Sequence, residues 1–243
     1  MTPPFLPRCF AALGLTLALA CAAAASRAAE RPIRVMPLGD SITEACCWRD
    51  LLYAGLRQLG LDVDFVGSRG GPLSPPGKDW NHEGHGGYRV TDLLKPAGTG
   101  EPSRRGLAGD RRDLQAWFGP QNDAPDIVLM HFGTNDRWGG IAPARILEAY
   151  GAVLAAARER NPQVTLLVAQ IVPMANGVDV RALNEAIPRW AREHDTPRSR
   201  VIVVDHASGF DSRWTLDGVH PNPTTGSQWM ADRWFAALRP LLD

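Results

Sequence analysis

The sequence has little cysteine and no excess of charge of either sign. Only 4 of its 243 residues are cysteine, which does not suggest a fold held by a disulfide framework. Its 26 basic residues balance its 26 acidic residues, and the lysines and arginines form no basic stripe. Because a phosphate backbone is bound through such a stripe, the composition predicts that nucleic acid is not a partner.

The sequence also has no apolar run of the length that crosses a membrane. The apolar stretch at residues 9–25 falls short of the roughly 20 residues that a spanning helix needs. Arg8 precedes it and small residues follow it, as is typical of a secretory signal peptide. We therefore predict that residues 1–29 are a leader, that the protein has no stable membrane insertion, and that it is secreted or periplasmic. Cys21 after Leu-Ala-Leu-Ala leaves a lipoprotein as the alternative.

Removal of the leader would leave two adjacent cysteines, Cys46 and Cys47. Neighbouring Cα atoms lie about 3.8 Å apart, whereas disulfides usually join Cα atoms roughly 4.4–6.8 Å apart. A bond between them would be strained, so we expect two buried free thiols. The alternative to two buried thiols is that one of these cysteines is a catalytic nucleophile, but no obvious basic partner lies nearby in the sequence.

Short apolar runs alternate with segments of helical length and period. The runs lie at residues 33–38, 63–67, 126–132, 165–172 and 200–205, and the helical segments at 50–60, 143–160, 180–194 and 226–242. Continuous valine, isoleucine and leucine runs between amphipathic helices are typical of a parallel sheet buried on both faces. The pattern predicts one α/β domain over residues 30–243, a three-layer sandwich with about five parallel strands flanked by helices.

One connection, residues 69–88, is longer than an ordinary loop. It exceeds the roughly 12–15 residues beyond which an unstructured loop is usually functional or disordered. Open α/β sheets bind ligands outside the carboxyl ends of their strands. This loop, the turn at Ser41 and the Gly-Thr-Asn-Asp that follows the third strand are therefore expected to share one rim.

Ser41 stands at the first bend after the first predicted strand, where it is either a nucleophile or a helix cap. A serine nucleophile needs a positioned imidazole to take its proton, and that imidazole needs an acceptor to orient it. His220 in Asp-Gly-Val-His-Pro-Asn has Asp217 close before it, so one loop can supply both groups. An Asx turn with a surface histidine is the alternative for this loop.

Three groups are candidates to hold negative charge on a tetrahedral intermediate. They are the backbone amides of Ser41 and Gly87 and the side-chain amide of Asn135. Gly87 has no Cβ to obstruct its N–H. The alternative for Gly87 is a left-handed turn, and for Asn135 a turn or cap.

Four sequence blocks, GDSIT, HEGHGGYRV, FGTND and DGVHPN, resemble in order and spacing those of the SGNH (GDSL) hydrolase superfamily. With DVDFVGS, VAQIVPMANG and LNEAIPRWA, nearly the whole mature chain resembles carbohydrate esterase family three, the acetylxylan esterases. The resemblance implies a flavodoxin-like fold, with Ser41 as nucleophile in a capping position, His220 as base and Asp217 as its orienting acid. It also implies an oxyanion hole of the Ser41 amide, Gly87 and Asn135.

The function implied by this resemblance is a secreted serine esterase that removes O-acetyl groups from polysaccharide or oligosaccharide through an acetyl-enzyme, without a cofactor. The alternatives are a lipase or thioesterase acting on longer acyl chains, and a non-catalytic glycan-binding module. No serine lies in the G-x-S-x-G elbow of the α/β-hydrolase fold. One departure is that a cysteine near Cys46 often pairs in the family with one in the loop after strand two, and residues 69–88 contain none.

Other features are weaker signals of function. His82 and His85 could suggest a metal, but the sequence offers no second half of a four-ligand site, and we predict no metal. Trp80, Tyr88 and Trp138 are expected on or beside the rim, where they either stack on sugar rings or pack the loop. Four further tryptophans in helical patterns are expected in the core: Trp48, Trp190, Trp229 and Trp234.

Overall fold

A computed structural model describes residues 31–45, 47–70, 77–100 and 109–242; the predicted leader, residues 1–29, lies outside them. The strands are β1 (Ile33–Gly39), β2 (Val63–Phe65), β3 (Glu83–Gly84), β4 (Ile127–His131), β5 (Thr165–Gln170) and β6 (Val201–Asp205). The α-helices are α1 (Ser41–Glu44), α2 (Trp48–Gln58), α3 (Arg112–Phe118), α4 (Thr134–Trp138), α5 (Pro143–Arg160), α6 (Arg181–His194) and α7 (Thr225–Leu242). Two short 3₁₀ helices span Val90–Leu94 and Ser212–Trp214.

The strands form one sheet in the order β2-β1-β4-β5-β6, and every pairing between them is parallel. The two-residue strand β3 pairs in parallel with the last two residues of β1, beyond the point where β2 stops. Counting β3 as a continuation of that edge gives the strand order of flavodoxin-like folds. The predicted α/β class, with about five parallel strands in a flavodoxin-like arrangement, is confirmed.

Helices cover both faces of this sheet, which gives the predicted three layers. One core cluster joins the sheet to α3, α5 and α6, and the other joins it to α2 and α7. Trp48, Trp190 and Trp234 are buried as expected. Trp229 is only half-buried, and the guanidinium of Arg233 lies 4.3 Å from its ring centroid. Although α5 and α7 each run for 18 residues, none of the helices in the described ranges is long and apolar enough to span a bilayer.

The described part of the long connection after β2 is packed along the edge of the sheet. Arg69 and His82 form an antiparallel bridge with N–O distances of 3.0 and 3.2 Å. The buried carboxylate of Asp79 accepts a hydrogen bond from the Phe65 amide at 2.7 Å. These contacts bring β3, and the turn that contains Gly87, beside the end of β1.

Cys47 is disulfide-bonded, so the prediction of a free thiol is wrong for this residue. All other cysteines of the chain lie outside the described residues. The prediction considered only a bond within the adjacent pair, and the short Cα spacing disfavours that bond without bearing on other partners.

Candidate active site

Ser41 is the first residue of α1, directly beyond the carboxyl end of β1. Asp40 is the residue that caps this helix, because its Oδ1 accepts the amide of Ile42 at 3.0 Å. The expectation that Ser41 occupies the capping position is therefore wrong. Gly39 allows the tight bend, since a Cβ there would lie 2.4 Å from the carbonyl oxygen of His131. With the cap supplied by its neighbour, the Ser41 hydroxyl is available for other contacts.

Residues 215–221 form a hairpin with the predicted acid and base at its tip. Thr215 pairs with Pro221 in an antiparallel bridge, and the amide of Leu216 donates to the carbonyl of His220 at 2.8 Å. The Oδ1 atom of Asp217 accepts the backbone amide of His220 at 2.8 Å. The turn thus holds the Asp217 carboxylate next to the His220 imidazole, independently of the contact that His220 makes with Ser41.

The serine, histidine and aspartate are brought together in one line of hydrogen bonds. His220 Nε2 lies 2.8 Å from Ser41 Oγ, and His220 Nδ1 lies 2.7 Å from Asp217 Oδ2. A carboxylate accepts only, so it holds the proton on Nδ1 and leaves the Nε2 lone pair to accept the serine hydroxyl. The arrangement is that of a general base aimed at a hydroxyl and oriented by an acid.

Asp217 remains charged at neutral pH. Partial burial raises its pKa, but hydrogen bonds from the His220 amide, the His220 ring and the Val219 amide outweigh that effect, and the pKa ends below its ordinary value. Its side chain is 55% exposed, against 27% for that of His220. Solvent therefore weakens the interaction between the Asp217 carboxylate and the His220 ring.

The three predicted oxyanion donors lie on neighbouring elements at the carboxyl edge. Gly87 has a φ of +78° in a turn closed by the Tyr88 amide, which donates to the carbonyl of His85 at 3.1 Å. Asn135 lies in α4, just after β4, and its Nδ2 donates to the Tyr88 carbonyl at 3.1 Å. The second N–H of that amide can serve a ligand. The Ser41 amide begins a helix, where no intrahelical acceptor exists for it.

The three rim aromatics differ in exposure. Trp80 is 38% exposed and Trp138 is 56% exposed, but Tyr88 is only 4% exposed. The Tyr88 hydroxyl donates to Asp113 at 2.5 Å, and its ring meets Trp117 edge-on at 5.3 Å. Tyr88 is therefore wrong as a candidate for stacking on sugar. It packs the loop against α3, a helix that the sequence pattern did not predict.

The His-Glu-Gly-His segment is engaged with the protein itself. His82 Nδ1 accepts the amide of Gly84 at 2.9 Å, and His85 Nε2 lies 2.7 Å from Glu83 Oε1. Glu83 is fully buried and also accepts the amide and hydroxyl of Ser68 at 2.6 and 2.8 Å. Within the described ranges, no group of three or more histidine, cysteine, aspartate or glutamate side chains is arranged to hold a metal.

Three buried carboxylates around the site, Asp40, Glu83 and Asp136, were missed by the sequence reasoning. Burial raises the pKa of Asp40 to about 7, against the lowering effect of its bond from the Ile42 amide. Each of the three lies inside one of the sequence blocks GDSIT, HEGHGGYRV and FGTND, directly beside or close to a predicted site residue. Local sequence gives no signal of their burial, because the donors that a buried charge needs come from other segments for Glu83 and Asp136.

A flavodoxin-like sheet whose first strand leads into a serine hydrogen-bonded to a histidine and an aspartate is an arrangement suited to a serine hydrolase. The sequence model of the GDSL-like Lipase/Acylhydrolase family matches residues 38–225. The chain belongs to this family, as the predicted resemblance required.

Solved structures that resemble this chain are also esterases. An acetyl esterase, crystallised as a serine-to-alanine mutant with an acetate ion, is 34% identical, with a TM-score of 0.73 over 86% of this chain and 98% of that one. A carbohydrate esterase of family 3 from Talaromyces cellulolyticus gives the same identity, coverage and TM-score. The predicted resemblance to carbohydrate esterase family three is confirmed.

A curated relative, the multidomain esterase of Ruminococcus flavefaciens, is 31% identical over 250 residues. The match covers 93% of this chain, but the chain spans only 31% of the length of that relative. Together with the family match and the solved structures, it supports the predicted enzyme class. This chain belongs to the class of carboxylic ester hydrolases.

Proposed function

We propose that this esterase removes O-acetyl groups from carbohydrate of the acetylxylan type, with Ser41 as its nucleophile. The observation that carries the proposal is the continuous line of hydrogen bonds from Ser41 through His220 to Asp217. The preference for acetyl and for carbohydrate is supported by the two solved relatives at 34% identity, one an acetyl esterase with an acetate ion and the other a carbohydrate esterase.

Acylation begins when Ser41 Oγ forms a bond to the carbonyl carbon of the acetyl ester and its proton passes to His220 Nε2. The carbonyl oxygen becomes negative, and it receives hydrogen bonds from the amides of Ser41 and Gly87 and the side chain of Asn135. His220 then returns the proton to the sugar oxygen as the bond between that oxygen and the acetyl carbon breaks. The sugar leaves, and an acetyl-serine remains.

Deacylation repeats these steps with water as the nucleophile. His220 takes a proton from the water as its oxygen bonds to the acetyl carbon, and returns that proton to Ser41 Oγ as acetate leaves. Asp217 stays ionised throughout and stabilises the transient imidazolium. No cofactor takes part in either half of the proposed reaction.

The sugar is proposed to contact the exposed aromatic surface beside the site. Trp138 ends α4, the same short helix that carries Asn135, and it is 56% exposed. An exposed indole so close in sequence to an oxyanion donor can stack on a sugar ring. Trp80 is a second, less exposed candidate at 38%. The proposal includes export of the protein after removal of residues 1–29, which amino-terminal sequencing of the exported form would test.

Acetate release from acetylated xylan, mannan, pectin and chitin fragments tests the substrate class. We expect release to be fastest from acetylated xylan, and hydrolysis of p-nitrophenyl esters to fall from acetyl to decanoyl. Ser41→Ala supplies the background rate. Activity that rises toward decanoyl would indicate a lipase or thioesterase instead. Polysaccharide binding by the wild-type protein without acetate release would indicate a glycan-binding module.

Asp217→Asn is expected to lower kcat for acetyl ester hydrolysis by roughly 10- to 100-fold with little change in KM. The new amide can donate to His220 Nδ1, which favours the tautomer whose Nε2 cannot accept the serine proton; the cost is about 10⁴-fold where the orienting aspartate is buried. We expect less here because solvent reaches this carboxylate, which is 55% exposed. Asp211→Asn, at a half-buried aspartate that pairs with Arg213, is the matched control and should retain activity. Full activity of Asp217→Asn would exclude the orienting role.

A further inference from the structure

Asp136 directly follows the proposed oxyanion donor Asn135 and is completely buried. Its Oδ2 accepts the amide of Val90 at 3.0 Å, and its Oδ1 accepts the amide and hydroxyl of Thr91 at 3.0 and 2.7 Å. We infer that Asp136 is a positioning residue that fixes the turn carrying Gly87 against the helix carrying Asn135, so that both donors face one point. This inference rests on the proposed function.

The contacts of Asp136 are part of a continuous connection between the two donors. The Asn135 side chain donates to the Tyr88 carbonyl at 3.1 Å. The Tyr88 amide in turn donates to the carbonyl of His85 at 3.1 Å and closes the turn in which Gly87 lies. Helix α4 therefore holds the segment at residues 88, 90 and 91, starting one residue beyond Gly87. A shift of this segment would move one oxyanion donor relative to the other.

A carboxylate suits this position better than any neutral side chain. Three donors point at its two oxygens, and a carboxylate is an acceptor at both, whereas an amide accepts at only one. Val90 and Thr91 begin the 3₁₀ helix Val90–Leu94, whose own N-cap, Arg89, makes no side-chain cap. Asp136 supplies that cap from a segment distant in sequence, which joins the start of this helix to the active-site rim.

Asp136→Asn tests the inference, because it keeps the shape but turns an NH₂ group toward a backbone donor. We expect kcat for p-nitrophenyl acetate to fall about 10-fold with KM nearly unchanged, since an oxyanion donor acts on the transition state. The pH dependence of kcat/KM should keep its shape, because the base and its orienting acid are untouched. Thr91→Val removes only one of the three hydrogen bonds and should lower kcat about 3-fold.

A double-mutant cycle with Asn135→Ala separates positioning from general stability. Loss of one oxyanion donor should by itself lower kcat about 10²-fold. If Asp136 acts through the oxyanion donors, Asp136→Asn should lower kcat by less than about 3-fold in the Asn135→Ala background. In the wild-type background the same change should lower kcat about 10-fold. Should Asp136→Asn fail to fold, the same cycle with Thr91→Val decides the question.

Unchanged kcat in Asp136→Asn, or an equal fold-loss with and without Asn135, would overturn the inference. A rise in KM alone, or a displaced pH profile, would also overturn it. These outcomes are distinct from failure of the proposed function, in which Ser41→Ala and Asn135→Ala would themselves retain wild-type activity toward p-nitrophenyl acetate.

Discussion

Replacing Ser41 by alanine is expected to lower kcat for acetyl esters by at least about 10⁴-fold, because the attacking oxygen is removed. A residual rate should remain, because the oxyanion donors and substrate binding also assist direct attack by water. His220 would lose the hydroxyl that lies 2.8 Å from its Nε2. The measurement is p-nitrophenyl acetate hydrolysis alongside acetate release from acetylated xylan.

The same substitution should leave the fold intact. Ser41 is half-buried at the start of α1, and the cap of that helix comes from Asp40. We therefore expect the free energy of unfolding of Ser41→Ala to stay within about 0.5 kcal/mol of the wild type. Ser208→Ala, at an exposed serine beyond the end of β6, is the matched control and should keep full activity. Equal rates for Ser41→Ala and the wild type would rule out the serine mechanism.

The arrangement of the site could be predicted because its residues follow the ends of parallel strands. Ser41 follows β1 and Asn135 follows β4, and these strands are neighbours in the sheet. Apolar runs locate such strands in the sequence, and parallel strands present their carboxyl ends at one edge. Asp217 and His220 needed only a short hairpin beyond β6 to reach that edge. The hydrogen bond between Ser41 and His220 spans 179 positions of sequence, yet it follows from this topology.

The burial of Tyr88 and the partners of the buried carboxylates could not be predicted from the sequence. They depend on contacts between segments that have no strand or helix periodicity. Tyr88 is buried because α3 brings Asp113 and Trp117 to it, and α3 follows a stretch with no clear periodicity. The roles of Glu83 and Asp136 depend on donors from Ser68, Val90 and Thr91, which local sequence does not connect to them. Strand patterns determine where a side chain emerges, but the partners of a buried carboxylate are set by packing.

The free energy of unfolding is expected to fall by about 2 to 3 kcal/mol between pH 7.5 and pH 5, mainly because three histidines are buried uncharged. Burial lowers the pKa of His131 to about 4. Burial, with the charges of Arg49 and Arg69, lowers that of His82 to about 3. The pKa of His206 is lowered well below its ordinary value by burial and by the nearby His131 and Arg233. His206 also lies beside the buried Trp234, with ring centroids 4.5 Å apart.

The sign follows from where the protons bind. In the unfolded chain each histidine takes up a proton below its ordinary pKa of about 6.5, whereas the folded protein resists this until its lower pKa is reached. Because the unfolded pKa is about 6.5, each histidine then costs at most about 2 kcal/mol at pH 5. Asp40 acts oppositely, because its pKa of about 7 lies above its ordinary value. Protonation of Asp40 in the folded protein raises the free energy of unfolding by roughly 2.5 kcal/mol over the same pH interval. Asp136, with its pKa raised by burial, acts in the same direction as Asp40.

Urea unfolding at pH 7.5 and pH 5 measures this dependence, and His206→Leu isolates one histidine. His206 is fully buried, and neither of its ring nitrogens has a hydrogen-bond partner in the described part of the chain, so an apolar residue can take its place. The stability lost between the two pH values should become smaller in this variant, by up to about 2 kcal/mol. Equal stability of the wild type at both pH values, or an unchanged slope in His206→Leu, would show that these histidines are not held neutral by the fold.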